Sequence, residues 1–412
     1  MTNTKVLIIL DIKQATPRWT NYISELIKNN CKVDLLIHHS GKYIVETEIE
    51  TAQNLKIFYS FYISLYGRNR YLTKLLWYTS KYTTNNRTFL SIYEILAFRM
   101  LLLKAKSLCR KWNYNIVLTS NSPFYTHIVG SHLRNNFDIK WIADYRDLWS
   151  LNHQRTYTED KQVVFERKIL AGADACITVS EGFRKDLRKV YNGPIHVIYN
   201  GYKRLNQASS LSFDDILNIE YTGQIYGNNQ EIVQTLDFFM GSRHVSLKNL
   251  RINFSGSSGI FIKNYFKMKK IPIPEFFAIL GHVSHTEVLK RQASASFLLF
   301  LNWVKDEDRG VVLGKIYEYI ASGVPILIVG KTLQKEVKTI IENSGFFVDV
   351  NSQNDLDDFL GSYLAHDLKL PERNVDFIAQ FQYSKQVQTL LLVLEDFKIE
   401  KISADLKTIK FE

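Results

Sequence analysis

Short strand-like apolar runs recur along this chain, with helical patterns between most of them. The first series is KVLIIL (5–10), VDLLI (33–37), NIVLTS (115–120), KWIAD (140–144), ACITVS (175–180) and IHVIYN (195–200). Between the first two lies TPRWTNYISELIKNN, with Thr16 placed to cap a helix, Pro17 at its first position, and Trp19, Ile23, Leu26 and Ile27 on one face. A second helix is predicted to start at Ser122-Pro123 and a third at Ser180. Strand followed by capped helix, repeated, describes a doubly wound parallel sheet. After a polar stretch from Tyr199 to Phe213 the pattern begins again, with strands IEYTG (219–223), LRINFSG (250–256), EFFAILG (275–281), SFLLFLN (296–302), VPILIVG (324–330) and GFFVDV (345–350). Helices are predicted between them at 284–294 and 332–343. A length of 412 residues also exceeds what one core usually organises. The expectation is an α/β protein of two tandem Rossmann-like domains: 1–200, a linker at 201–217, 218–370, and a helical segment at 371–412.

Composition narrows the class. Hydrophobic residues at 46% and aromatics at 13% supply packed cores and exclude extended disorder. Cys31, Cys109 and Cys176 form no C-x-x-C pair, so neither a disulfide framework nor a zinc site is suggested, and a reducing cytoplasm fits. The first residues enter a strand without a basic leader, and no window holds the roughly 18 uncharged apolar residues of a spanning helix. The net charge of +11 is concentrated: between Lys56 and Lys111 eleven Lys or Arg face one acid, Glu94, so this stretch carries +10. Twelve aromatics are interleaved with those cations. Such a mixture suits an anionic membrane surface or single-stranded nucleic acid, and equally a solvated helical face over an aromatic core.

Neither half has G-x-G-x-x-G after its first strand, and no P-loop occurs, which removes support for dinucleotide and P-loop chemistry. The stretch LGKIYEYIASGVPIL (313–327) follows a strand and a polar loop. Its helix N-terminus would offer free N–H groups to a phosphate, Gly314 would allow close approach, Lys315 would add a charge, and Glu318 could accept from paired sugar hydroxyls. The alternative is an i,i+3 ion pair between Lys315 and Glu318, worth about 0.2–0.5 kcal/mol, with Gly-Val-Pro as the stop.

That segment resembles the nucleotide-binding signature of the family 4 glycosyltransferases, a large retaining group with the two-domain GT-B fold. The block from Ser120 to Ser150 is similar to the SSPP…H…DxRDxW block of many bacterial members. ERKILAGADACITVSEGFRKDL, IEYTGQIYGNN and GHVSHTEVLKRQASASFLLFL match further segments in the right order, so the resemblance covers most of 115–330. It implies catalytic roles for His127, Asp144, Lys315 and Glu318, with His127 bonding the donor sugar. Donor contacts would come from Gly223, Gln224, Gly281, His282, Val283, Arg309, Gly314, Lys315 and Glu318, and acceptor or loop contacts from Arg146, Asp147 and Trp19. For Arg146 and Asp147 a brace holding the loop weighs equally. The substrate implied is a UDP- or GDP-type nucleotide sugar, with no metal or other cofactor.

Two departures stand out. Members often carry a first glutamate where this chain has Gly310, and an Arg and a Lys after the first strand of the second domain where it reads TGQIYGNNQE. Lys315, with Arg309 or Lys263, is left to neutralise the diphosphate. In this fold the first domain receives the acceptor, so 56–111 is read as peripheral contact with the inner face of the cytoplasmic membrane, with a glycan or lipid-linked acceptor and no nucleic-acid partner. The segment 377–397 is helical by periodicity and is expected to cross back onto the first domain. Rival readings are a metal-dependent transferase using Asp306–Asp308 or Asp355–Asp357, a nucleotide-sugar epimerase of the same architecture, and a degenerate subunit that binds a partner without turnover.

Overall fold

A computed structural model of the chain describes residues 4–11, 17–39, 54–61, 92–152, 160–207, 211, 213–225, 230–244, 249–257, 259–301, 310–330 and 334–409. They form two compact units, 1–200 together with 383–412, and 201–382.

The first unit contains β1 (Lys5–Asp11), α1 (Pro17–Lys28), β2 (Lys32–His39), β3 (Leu55–Phe61), α2 (Ile92–Lys111), β4 (Ile116–Asn121), α3 (Tyr125–Asn136), β5 (Lys140–Tyr145), α4 (Asp160–Leu170), β6 (Ala175–Thr178), α5 (Glu181–Leu187) and β7 (Ile195–Val197). All its strands are parallel, in the order β3-β2-β1-β4-β5-β6-β7. β4 and β6 are buried along their whole length, which is why they read as unbroken apolar runs. Trp19, Tyr22, Ile23 and Leu26 of α1 are sealed in the core with β1, β2, β4 and β6. Ser180 caps α5 by accepting from the Phe183 amide at 3.1 Å, as its position after a strand predicts.

β3 was not expected. It falls inside the basic aromatic stretch and lengthens the sheet beyond β2. Of that stretch the residues from 62 to 91 lie outside the described ones, as does Thr16. On α2, Leu96, Met100 and Leu103 are exposed. Among the described residues no helix is long and apolar enough to cross a membrane.

The second unit follows the same plan: β8 (Leu217–Thr222), α6 (Gln230–Gly241), β9 (Leu250–Ser255), α7 (Gly259–Lys269), β10 (Phe277–Gly281), α8 (His285–Ala293), β11 (Phe297–Leu301), α9 (Lys315–Ser322), β12 (Ile326–Val329), α10 (Lys335–Ser344), β13 (Phe347–Val350), α11 (Gln353–Leu364) and α12 (Val375–Ala379). Its parallel sheet runs β10-β9-β8-β11-β12-β13. In each sheet the order reverses beside the first strand, and ligands of such sheets bind at that switch point, outside the carboxyl ends of the strands.

The residues read as a linker are partly tied into this unit. Tyr202 pairs with Gln382, and its hydroxyl donates to the Ile378 carbonyl at 3.1 Å, while Arg373 donates to the Asn206 carbonyl at 2.8 Å. The helix expected over 377–397 is divided: α12 stops at Ala379, and α13 (Tyr383–Ile409) begins anew. The return to the first unit therefore starts at Tyr383, not at 371. Val387, Leu390, Leu391, Val393, Leu394 and Phe397 of α13 complete the core of the first unit.

Candidate functional site

β8, β9 and β10 each lead into or end at a glycine of positive φ: Gly223 at 118°, Gly256 at 120° and Gly281 at 69°. The Gly223 amide donates to the Ser255 carbonyl at 2.9 Å and the Gly256 amide to the Gly281 carbonyl at 2.6 Å, which links the three strand ends. A Cβ on Gly256 would stand 2.3 Å from the Gly223 carbonyl oxygen, whereas one on Gly223 or Gly281 would meet nothing within 4 Å. The strand ends thus present a side-chain-free ledge to open space. Gly256→Ala is expected to cost about 3 kcal/mol, read from the urea midpoint, because both its φ and its neighbour forbid a side chain. Gln224 and His282 are exposed and Val283 is half-buried beside this ledge. The carbonyls of Gln224 and Val283 already meet the Tyr221 hydroxyl, at 3.0 Å, and His282 Nδ1, at 3.2 Å.

Lys315 opens α9, and its ammonium lies over the rings of Tyr221, Phe300 and Tyr319, at 4.1, 5.3 and 6.0 Å from the centroids. Among the described residues no carboxylate pairs with it, and burial pushes its pKa down to about 7. The i,i+3 pair with Glu318 does not form. Glu318 Oε1 instead lies 3.3 Å from His285 Nε2. The amides of Ile316 and Tyr317 bond back to the carbonyls of Leu313 and Gly314, at 3.1 and 3.3 Å. Those of Gly314 and Lys315 are left without a partner among the described residues, two donors at the positive end of a helix.

Hydrogen bonds beneath Lys315 fix α8 and α9 to the end of β8. The Tyr319 hydroxyl accepts from the Thr222 amide at 3.1 Å, and Gln292 donates to the Thr222 hydroxyl at 2.9 Å. Buried Glu220 accepts from Ser255, and burial pushes its pKa up. Gly310, where relatives of the expected family often carry glutamate, has φ of 93°, a conformation that would strain any side chain. Lys263 is exposed on α7. Arg309 and Asp306–Asp308 lie outside the described residues. The other acidic triplet is engaged structurally: Asp355 accepts from the Asn351 amide at 2.9 Å, and Asp357 is bonded to Ser242.

In the first unit three of the expected site residues turn out to be interior. Asp144, at the end of β5, is fully buried and accepts from Arg18 at 3.1 and 3.2 Å and from Ser120 at 2.6 Å. Its oxygens are engaged by these two side chains. Trp19 is equally buried, with its indole N–H directed at Ser120 at 3.4 Å. His127 sits in the first turn of α3 with Nδ1 2.8 Å from the Thr119 hydroxyl, packed against Phe124, Trp141 and Tyr145. Burial holds its pKa near 3, so the imidazole is neutral. Arg146 and Asp147 are at the carboxyl end of β5, half-buried and exposed respectively. Their loop is braced: Asn121 donates to the Asp147 carbonyl at 2.8 Å, Trp149 stacks on Phe124 at 3.7 Å, and Glu166 accepts from Tyr145 at 2.7 Å and the Ser150 amide at 3.1 Å.

Sequence reasoning missed the aromatic rings around Lys315, the partner of Glu318, and Arg18. One signal was present: Lys315 and Tyr319 are four residues apart, on one face of a helix.

Residues 18–203 match the profile of Glycosyltransferase Family 4. That stretch belongs to this glycosyltransferase family. Sequence comparison finds no match among curated proteins. Solved structures agree on the fold of the whole chain. Sucrose-phosphate synthase from Thermosynechococcus elongatus superposes with a TM-score of 0.60 at 14% identity, covering 100% of each chain. The apo form of the lipopolysaccharide outer core galactosyltransferase WaaB gives 0.59 at 14% identity, over 97% of this chain and 100% of its own. An alpha-glucosyltransferase in complex with UDP and a 13-mer DNA containing a HMU base gives 0.54 at 12% identity, over 95% and 99%. The fold is that of the GT-B glycosyltransferases, and glycosyltransferase is the enzyme class.

Proposed function

We propose that this glycosyltransferase moves a sugar from a nucleoside diphosphate donor, of UDP or GDP type, to a hydroxyl of a glycan or lipid-linked acceptor, with retention and without a metal. The observation that carries the reading is the buried Lys315 ammonium, held over three aromatic rings with no carboxylate beside it among the described residues. A departing diphosphate supplies a counter-charge, and the amides of Gly314 and Lys315 add preorganised donors to the same oxygens. Glu318 follows one turn later, where its carboxylate accepts from the ribose hydroxyls, and the glycine ledge admits the nucleotide close to the backbone. With retention, the acceptor approaches the face from which the diphosphate leaves. The diphosphate oxygens are then placed to take its proton.

Placement at the inner face of the cytoplasmic membrane, in capsule or lipopolysaccharide assembly, is the further part of this reading. Its support is the charge of 56–111 and, on α2, exposed Leu96, Met100 and Leu103 interleaved with Arg99 and Lys104.

Thermal unfolding with UDP, GDP, ADP and TDP, in EDTA, tests the donor site. One of them is expected to raise the melting temperature of the wild type, with a smaller rise for Glu318→Gln. Equal shifts in both proteins would remove Glu318 from the site. No shift with any of the four would favour the non-catalytic binding subunit. Conversion of the sugar nucleotide with no acceptor present would favour the epimerase.

A further inference from the structure

The Glu318 carboxylate is held from outside its own helix. His285, first residue of α8, places Nε2 3.3 Å from Glu318 Oε1, and α8 is anchored there by Ser284, whose hydroxyl accepts from the Glu287 amide at 3.2 Å. Among the described residues, Lys290 of α8 is exposed, and other charged groups on the neighbouring elements are engaged elsewhere. On α8 Glu287 pairs with Arg291 at 3.1 Å, on β8 Glu220 takes the Ser255 hydroxyl, and on α9 Lys315 lies over Tyr221. His282, after β10, turns to the Val283 carbonyl. Glu318 is therefore the ionic partner of the imidazole, and its hydrogen bond and charge raise the pKa of His285 above the usual 6.5.

We propose that His285 is a positioning residue of the donor site: its Nε2–H holds one oxygen of Glu318 so that the carboxylate stays aimed at the ribose hydroxyls, more firmly when the ring is protonated. The proposal rests on Glu318 binding the donor ribose. A carboxylate left to rotate must be ordered when the nucleotide arrives, which weakens binding. The His285 side chain is 57% exposed, so screening keeps the effect modest. Affinity is expected to fall as pH rises through the His285 pKa, because the cation holds the carboxylate better than the neutral ring does.

Calorimetric titration with UDP, GDP, ADP and TDP of the wild type, His285→Ala and His285→Gln decides it. Glutamine can place an amide N–H near the site of Nε2 but cannot be protonated. His285→Ala is expected to weaken nucleotide binding about threefold, and His285→Gln to restore most of it. The ratio of wild-type to His285→Gln affinity should fall about twofold between about pH 6 and about pH 8.5, a comparison in which titration of the diphosphate and of Lys315 cancels. If a nucleotide binds but neither substitution changes its affinity, or the ratio is flat with pH, the role of His285 is overturned while the donor site stands. If none of the four binds the wild type, the donor site itself is overturned.

Discussion

Replacing Lys315 by methionine is expected to lower affinity for the cognate nucleoside diphosphate about a hundredfold, with no loss of stability in the unliganded protein. The two halves of that result have one cause. The ammonium lies over Tyr221, Phe300 and Tyr319 with no carboxylate beside it among the described residues, and burial has moved its pKa to about 7. An apolar side chain of similar length keeps the ring contacts and removes a charge that is costly to bury. The pH dependence follows with a definite sign. In the folded protein the lysine releases its proton near pH 7, but in the unfolded chain it does so near about 10.4. Between those values the unfolded state holds more protons, so wild-type stability gains from this residue as pH rises. Lys315→Met removes that gain, which denaturant titration at several pH values would register. Diphosphate binding needs the ammonium, so the advantage of wild type over variant should shrink as pH rises above about 7. Calorimetry of both proteins with UDP and GDP across that range is the check. An advantage that does not change with pH would mean that Lys315 acts by packing alone.

Asp144→Ala is expected to destabilise the first unit by about 3–5 kcal/mol, measured by chemical denaturation, since it leaves the Arg18 guanidinium buried without its counter-charge. The pair is nearly sealed: Arg18 is 4% exposed, Asp144 not at all, and the second guanidinium nitrogen reaches the Ile198 carbonyl at 3.4 Å. Exchanging both residues for apolar ones, Arg18→Met with Asp144→Leu, should recover most of the loss, because the desolvation cost disappears with the attraction. Nucleotide affinity of the folded Asp144→Ala protein should match the wild type. A large drop in affinity without a drop in stability would mean that Asp144 acts on the substrate.

Features local in sequence could be read before the structure. The strand runs that became β1, β4, β5, β8 and β11 are apolar because both faces of a parallel sheet are covered, and Ser180 and Ser284 marked their helices by position. β3 escaped because LKIFYSF begins a stretch dominated by its charge and aromatics, so periodicity there was overshadowed. The site was half legible. Lys315 and Glu318 could be placed on one helix, but the partner of each comes from another element: Tyr221 from β8 and His285 from α8. Asp144 has a partner that was hidden for a similar reason. Its position at the end of a strand suggested a ligand contact, and the arginine that occupies it is 126 residues away in the chain. His127 follows the same pattern, since nothing local shows that Trp141 and Tyr145 close over it.

The late return of the chain at Tyr383 bears on synthesis. The core of the first unit includes residues Val387 to Phe397 of α13, whereas the second unit lies wholly within 201–382. On a ribosome, the half that emerges first must wait, its α1 surface uncovered, until the last helix is made. The half that emerges second has all its strands already and can fold ahead of it. The order of completion is the reverse of the order of translation. With Tyr202 paired to Gln382, the second unit's two ends meet, so residues 201–382 form a single continuous cassette, and exchanging that one segment between relatives would transplant the whole second unit while leaving both pieces of the first in place.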